Sequence, residues 1–267
     1  MELSKYDNCE FTFYGDLLGV SNYYKISPDK AYSKLNTFYN KSFEIFKELV
    51  DNDQELKIFL FSDSIFVTGK KLETALKHIS YLYSTLFQNN LLLRGAIVKG
   101  LLEFQPRVEI KRFTKQLPKG DVLFRAVELE KRSKGARLLI ETKLAQQILP
   151  KEWYTNEGYD SNIDRKIPEH SIVRKIKLTS DWSAYEYLWP LIEEDEYPLT
   201  NKVKMGYKEL ILIIENLKSI SPKEATAHII ETKKMFQSIK FSLKYNYERN
   251  YNKALAESLK ELQKKIT

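Results

Sequence analysis

Apolar residues recur with two different periods along the first 150 positions of the chain. Residues 11–18 form an apolar run, interrupted by one acid and ended by Gly19, which predicts a strand. Over 30–50, Ala31, Leu35, Phe38, Phe43, Phe46 and Leu49 return at roughly helical spacing, which predicts an amphipathic helix. Residues 56–61 and 64–67 are apolar segments around the polar pair Ser62-Asp63. That pattern predicts a hairpin, although its turn lacks the glycine that tight turns favour. Over 73–87, Leu76, Ile79, Leu82, Tyr83 and Leu86 share one face of a second helix. A strand bearing Arg94 over 91–98, a helix over 122–132, a strand over 136–140 and a short helix over 142–149 complete the pattern.

The order is β-α-β-β-α-β with a further α-β behind it. It predicts an α+β fold of the ferredoxin-like, split-βαβ kind, with an antiparallel hairpin in a mixed sheet. In that topology the first strand and the hairpin are neighbours at the sheet centre. There is no internal repeat and no low-complexity segment. Residues 1–150 read as this core. Residues 151–204 are dense in aromatics (Trp153, Tyr154, Tyr159, Trp182, Tyr185, Tyr187, Trp189) and read as an irregular or short-stranded extension packed on it. Residues 205–267 read as C-terminal helices, with a capping box at Ser221-Pro222-Lys223-Glu224.

Composition narrows the class. The chain has 267 residues, 43% hydrophobic and 30% charged, which is enough to bury a core and argues against disorder. No apolar run approaches the ~20 residues that span a bilayer. The opening MELSKYDNCEF has acids and no apolar secretory stretch, so a cytoplasmic protein without a membrane partner is expected. A single cysteine, Cys9, excludes an internal disulfide and any multi-cysteine metal site, and it reads as a small buried residue. Neither it nor His78, His170 or His228 has a protease context. The net charge is +7, and from Pro222 onward ten Lys/Arg against five Asp/Glu place +5 of it in the last 46 residues. A solvated helix face explains that excess; nucleic acid is not expected as a partner, because no recognition motif accompanies the charge. Phosphate-loop and dinucleotide-binding glycine motifs are both missing.

Two acids carry the candidate chemistry. Asp16 interrupts the first strand, and Asp63 sits in the hairpin turn. Acids rarely interrupt apolar strands unless they are paired or bind a cation. The topology brings both to one edge of the core, where two hard oxygen ligands and a backbone carbonyl suit Mg²⁺ or Mn²⁺. The turn after Asp16 would present the amides of Leu17, Leu18, Gly19 and Val20 to phosphates. A simpler reading, in which both acids only cap turns, stands beside it.

The residues resemble a family. FYGDLLGVSNYY is similar to the first metal motif of class III nucleotide cyclases, and FLFSDSIFV to their second. LRGAIVKGLL is similar to their glycine-flanked strand. Gly120-Asp121-Val122 through Leu129-Glu130, then ARLLIET, resembles their helix and closing strand. The resemblance covers residues 8–148 in order. Within the superfamily, D-L-L-G, F-S-D-S-I, R-G-A-I and A-V-E-L-E-K look most like the pyrimidine nucleotide cyclases of bacterial Pycsar antiphage systems.

That resemblance implies two ions, Mn²⁺ or Mg²⁺, held by Asp16, Asp63 and the Leu17 carbonyl. One would activate the ribose 3′-hydroxyl and the other would neutralise the triphosphate, so that the 3′ oxygen attacks the α-phosphorus in line and pyrophosphate leaves. It implies a substrate site including Phe13, Leu18, Gly19, Val20 and Phe59. It implies a homodimer, because such sites form between two chains. It implies a cyclic-nucleotide-responsive effector acting downstream in antiphage defence. The expected reaction is UTP to 3′,5′-cyclic UMP; CTP to cyclic CMP, or an inactive nucleotide-binding module of the same fold, are the alternatives.

The sequence departs from the purine enzymes of the superfamily. Their base-reading Lys or Glu, four residues before the second Asp, is Phe59 here. Their helix Asn and Arg are Phe124 and Glu128 here. The missing cation is expected from Arg125, then from Arg94 or Lys119. Glu128 and Glu130 read as structural acids pairing with Lys131 or Arg132 along the helix.

Overall fold

The computed structural model describes residues 9–105, 108–110, 113–115, 117–132, 134–148, 154–155, 173–177, 183–189, 227–228, 230–232 and 235. The capping box expected at Ser221 and most of the stretch expected to form C-terminal helices lie outside the described residues.

The expected elements form in the expected order. Strand β1 (Phe11–Leu17) is followed by α1 (Val20–Ile26) and α2 (Pro28–Asn52). The hairpin is β2 (Lys57–Phe61) and β3 (Ser64–Gly69). Helix α3 (Leu72–Gln88) leads to β4 (Leu93–Lys99). A small ribbon, β5 (Val108–Ile110) with β6 (Phe113–Lys115), precedes α4 (Val122–Lys131), β7 (Leu138–Glu141) and α5 (Thr142–Ile148). Three further strands, β8 (Tyr154–Thr155), β9 (Val173–Lys177) and β10 (Ser183–Tyr187), complete the described elements.

The large sheet runs β2-β3-β1-β4-β7-β10-β9-β8. Its first four strands, with the intervening helices, are the split-βαβ arrangement: β1 pairs antiparallel with both β3 and β4, and β2 forms the edge. Strand β7 adds parallel to β4, and β10, β9 and β8 continue the same sheet. The aromatic-rich stretch, expected as an irregular or short-stranded extension, contributes strands of two and five residues to this sheet.

Alternation along β1 sorts its side chains between the two faces. Phe11, Phe13 and Leu17 face the larger core with α2 and α3, beside Ile65, Ile79, Leu82 and Leu86. Tyr14 faces the smaller core under α4, with Ala96, Val98, Ala126, Leu129 and Leu139. Gly15 and Gly95 are register partners. A Cβ on Gly95 would lie 2.6 Å from the Phe13 ring and from the Tyr14 carbonyl oxygen. These glycines let the ring of Phe13 lie across the sheet surface, which accounts for the glycine in LRGAIVKG.

The long helical stretch expected over 30–50 is α2, and it starts earlier. Ser27 caps it, its hydroxyl accepting from the Lys30 amide at 3.4 Å, with Pro28 in the first turn. Its buried face carries Ala31, Phe38, Ser42, Ile45 and Phe46. Phe43, expected on the apolar face, is 68% exposed, because it lies about a third of a turn from the centre of the face marked by Ala31, Phe38, Ser42, Ile45 and Phe46 on a helix of 3.6 residues per turn. Cys9 is buried, as its context suggested. Among the described residues no helix is long and apolar enough to cross a membrane.

Candidate active site

The two acids singled out by sequence meet at one end of β1. Asp16 is opposite Ser64 in the β1–β3 ladder, so the turn residue Asp63 adjoins it. The Leu17 amide donates to the Asp63 carbonyl at 2.9 Å, which ties the turn to the end of β1. The turn forms without glycine because Ser62 itself adopts the left-handed conformation, at φ 54°.

Asp16 is half-buried, and Ser64 Oγ donates to its Oδ1 at 3.1 Å. The Tyr14 hydroxyl lies 3.3 Å from the same Ser64 oxygen. Burial pushes the Asp16 carboxyl up to about 6, and the charge of Asp63 pushes it the same way, against the Ser64 hydrogen bond and Arg94. Two carboxylates therefore repel across a partly dehydrated gap, the electrostatic condition that a divalent cation relieves. Among the described residues no three His, Cys, Asp or Glu side chains converge. The donor set is two carboxylates with main-chain oxygens, hard ligands that fit Mg²⁺ or Mn²⁺ when phosphate oxygens complete the shell.

The chain turns sharply after β1. Gly19 takes φ 83° and precedes α1. Of the four amides expected to face phosphate, that of Leu17 is bonded to Asp63 and that of Leu18 to the Leu92 carbonyl at 2.8 Å. The amides of Gly19 and Val20 stand at the open first turn of α1, where no intrahelical acceptor exists.

Arg94 and Glu130 were not read as a pair from sequence. Arg94 is opposite Asp16 in the β1–β4 ladder, and its Nε donates to Glu130 Oε1 of α4. Glu130 is 2% exposed. Burial pushes its carboxyl up to about 7, with the Asp16 charge adding and Arg94 opposing. Glu130 thus pairs across the fold with a strand arginine, in place of the helix-spaced partners expected for it. Nearby, Arg137 Nε lies 3.2 Å from Glu186 Oε1, and Arg137 Nη2 donates to Glu231 Oε2 at 2.6 Å. A row of alternating charges runs from Asp16 along the face under α4.

Arg125 stands elsewhere. Its Nη1 donates to both oxygens of Glu141 at 3.0 Å, its Nη2 to the Lys99 carbonyl at 2.7 Å, and its Nε to Asp121 at 3.1 Å. Lys99 faces Phe11, at the opposite end of β1 from Asp16. Five residues of strand separate them, about 16 Å. Within one chain the structure does not bring Arg125 to the carboxylates. Lys119 is exposed, its amide on the Glu103 carbonyl. Phe124, which replaces the helix asparagine, is 67% exposed.

The aromatic positions divide. Phe59 is partly buried on edge strand β2, on the Tyr14 side of the sheet, with its ring edge-on to Phe104 at 5.1 Å. Phe13 is fully buried on the other face, packed on Tyr83, so its ring does not border the carboxylates. Trp189 is buried between Tyr83 and Phe87, and its indole N–H donates to the Ala136 carbonyl at 2.9 Å.

No protein-family model matches the chain, and no curated protein matches its sequence. Solved structures similar to it include the guanylyl cyclase Cya2, at 13% identity and TM-score 0.48, covering 70% of this chain and 94% of that one. The adenylyl cyclase CyaB from P. aeruginosa is similar at 14% identity and TM-score 0.46, covering 72% and 97%. The guanylate cyclase domain of RhGC from Catenaria anguillulae, solved in complex with GTP, is similar at 11% identity and TM-score 0.43, covering 68% and 95%.

Proposed function

We propose that this chain is a metal-dependent pyrimidine nucleotide cyclase that converts UTP to 3′,5′-cyclic UMP and pyrophosphate. The observation that carries the reading is the meeting of Asp16 and Asp63, 47 residues apart in sequence, at one end of the central strand. Asp16, Asp63 and the Leu17 carbonyl would hold two divalent ions. When bound, such ions lower the basicity of a ribose 3′-hydroxyl and neutralise triphosphate charge. The chain's own groups then have distinct tasks. Ser64 fixes the rotamer of Asp16 through its hydrogen bond. The amides of Gly19 and Val20 meet phosphate oxygens. Phe59 offers an aromatic wall for a small base and no polar group for a purine edge. Arg125, at the far end of β1, would serve the site of a second chain in a two-fold homodimer. The product is read as a messenger for a cyclic-nucleotide-responsive effector in antiphage defence.

The test is to incubate the purified chain with each nucleoside triphosphate and Mn²⁺ and to identify products by mass. Cyclic UMP as the main product is expected. Cyclic CMP would shift the base assignment alone. Cyclic AMP or GMP would overturn the pyrimidine reading, and no product from any nucleotide would overturn turnover itself.

A further inference from the structure

Arg94 faces a choice of carboxylates. It is the register partner of Asp16 on a neighbouring antiparallel strand, where side chains on one face stand about 5 Å apart at Cβ. A guanidinium at that distance could close on Asp16 and occupy its oxygens. Its Nε is instead directed to Glu130, which α4 delivers from above the sheet. Glu130 is nearly inaccessible to solvent, and its side chain is 2% exposed against 11% for Arg94. Taking a carboxylate out of water is costly and a buried ion pair adds little net stability, so stability alone does not account for an acid in such a place.

We infer that Glu130 is a positioning residue that holds the Arg94 guanidinium off Asp16, leaving the Asp16 carboxylate available to a divalent cation. The inference rests on the metal-site reading above and adds a component to it. The packing supports the arrangement. Ala126 and Leu129 of α4 are buried on the same face as Glu130, so the helix cannot rotate to withdraw its carboxylate without exposing that small core. Asp16 has its own donor, Ser64, which approaches from the β3 side, opposite Arg94. Asp16 is therefore oriented by a neutral hydroxyl on one flank, while the cation on the other flank is held by a second acid. Charge balance follows: Glu130 offsets Arg94, and the two site acids keep their negative charge for a ligand.

The experiment is Mn²⁺ titration of the full chain at pH 8, read by calorimetry or by the loss of the free-ion paramagnetic resonance signal, with no nucleotide present. Glu130→Gln should weaken Mn²⁺ binding about tenfold, the low end of losses seen for residues that orient a metal ligand. Glu130→Gln combined with Arg94→Gln should restore it to within about threefold of wild type, because the competing cation is gone. A purely structural role for the pair would leave the double variant as weak as the single one. Arg94→Gln alone should bind Mn²⁺ at least as tightly as wild type, and this comparison stands even where Glu130→Gln fails to fold. Wild-type affinity in Glu130→Gln, no rescue in the double variant, or weaker binding in Arg94→Gln would each overturn the inference. Asp16→Asn separates the two levels. Loss of binding there, with Glu130→Gln unaffected, sinks the role of Glu130 alone; unchanged binding in Asp16→Asn, or none in wild type, sinks the metal site as well.

Discussion

The Ser64 hydroxyl donates to Asp16 Oδ1 at 3.1 Å from directly across the β1–β3 ladder. The residue after one site acid therefore orients the other, and the hairpin turn and the end of β1 act as one unit. Asp16→Ala and Asp63→Ala should each abolish cyclisation, by at least about a hundredfold, since losing a charged group that acts on the transition state commonly has that effect. Neither change removes core volume, so circular dichroism should be unchanged. Ser64→Ala should reduce turnover about tenfold or less, because it loosens Asp16 without removing it. Near-normal turnover with Mn²⁺ in either Asp variant would refute the assignment.

The raised carboxyl of Asp16 makes a prediction about stability and pH. Its folded value, about 6, exceeds the ordinary 3.8. The folded chain then binds more protons at this position than the unfolded one, so its contribution to stability falls as pH rises between those values. Asp16→Asn should melt higher than wild type at pH 8 in EDTA, by an amount on the order of 1–2 kcal/mol after solvent screening. The advantage should shrink as pH falls below 6 and vanish by about pH 3, below both values, where Asp16 is protonated in both states. Mn²⁺ should raise the melting temperature of wild type and leave Asp16→Asn unmoved. Melting curves at the two pH values decide it; a gap that grows as pH falls would contradict the burial of this charge.

Legibility in the sequence tracked local signals. Strand and helix periods gave the split-βαβ order, and two acids in apolar runs pointed to the end of β1 where they meet. The Arg94–Glu130 pair was hidden because its members are 36 residues apart and helix spacing offered Glu130 nearer partners. Strand β10 was hidden for a related reason. Glu186, fully buried on it, lies opposite Leu139 in the ladder, and the fold places the Arg137 guanidinium beside it, which offsets a charge that the local sequence gives no partner for. Phe13 shows the converse. It stands three positions from Asp16 on one strand, so the alternation of side chains already places it on the opposite face, and Gly15 and Gly95 make room for its ring there.

Arg125 can be tested for service across a subunit boundary. Three of its hydrogen bonds join α4 to the far end of β4 and to Glu141, and the fourth is to Asp121 at the start of α4. If it also meets the substrate of a partner chain, then Asp16→Ala and Arg125→Ala should each be inactive alone. Mixed in equal amounts and allowed to exchange, they should recover roughly a quarter of wild-type activity, since half the dimers are mixed and one of their two sites is intact. No recovery, with mixed dimers verified by mass, would confine Arg125 to holding α4 against β4 and β7.

The connection between α4 and β7 carries the last prediction. Gly135 adopts φ 85°, and its amide donates to His228 Nδ1 at 3.1 Å. The next amide, of Ala136, donates to Thr232 Oγ1 at 2.9 Å. A helical segment bearing His228, Glu231 and Thr232 is thus seated on this turn, and Met235 is fully buried. A Cβ on Gly135 would fall 2.6 Å from the Thr232 main-chain nitrogen, so the clash is with backbone and no rotamer can relieve it. Gly120 is the control: it also has positive φ, at 70°, but nothing lies within 4 Å of its added Cβ. Gly120→Ala should therefore cost only the left-handed backbone penalty, about 1 kcal/mol. Gly135→Ala should cost that and the displacement of the segment, at least about 3 kcal/mol, a drop of roughly 6–12 °C in melting temperature for a domain of this size. Limited proteolysis should show faster cleavage around residues 227–235 in Gly135→Ala, while Gly120→Ala matches wild type there. Equal melting temperatures for the two variants would mean that the segment does not rest on Gly135.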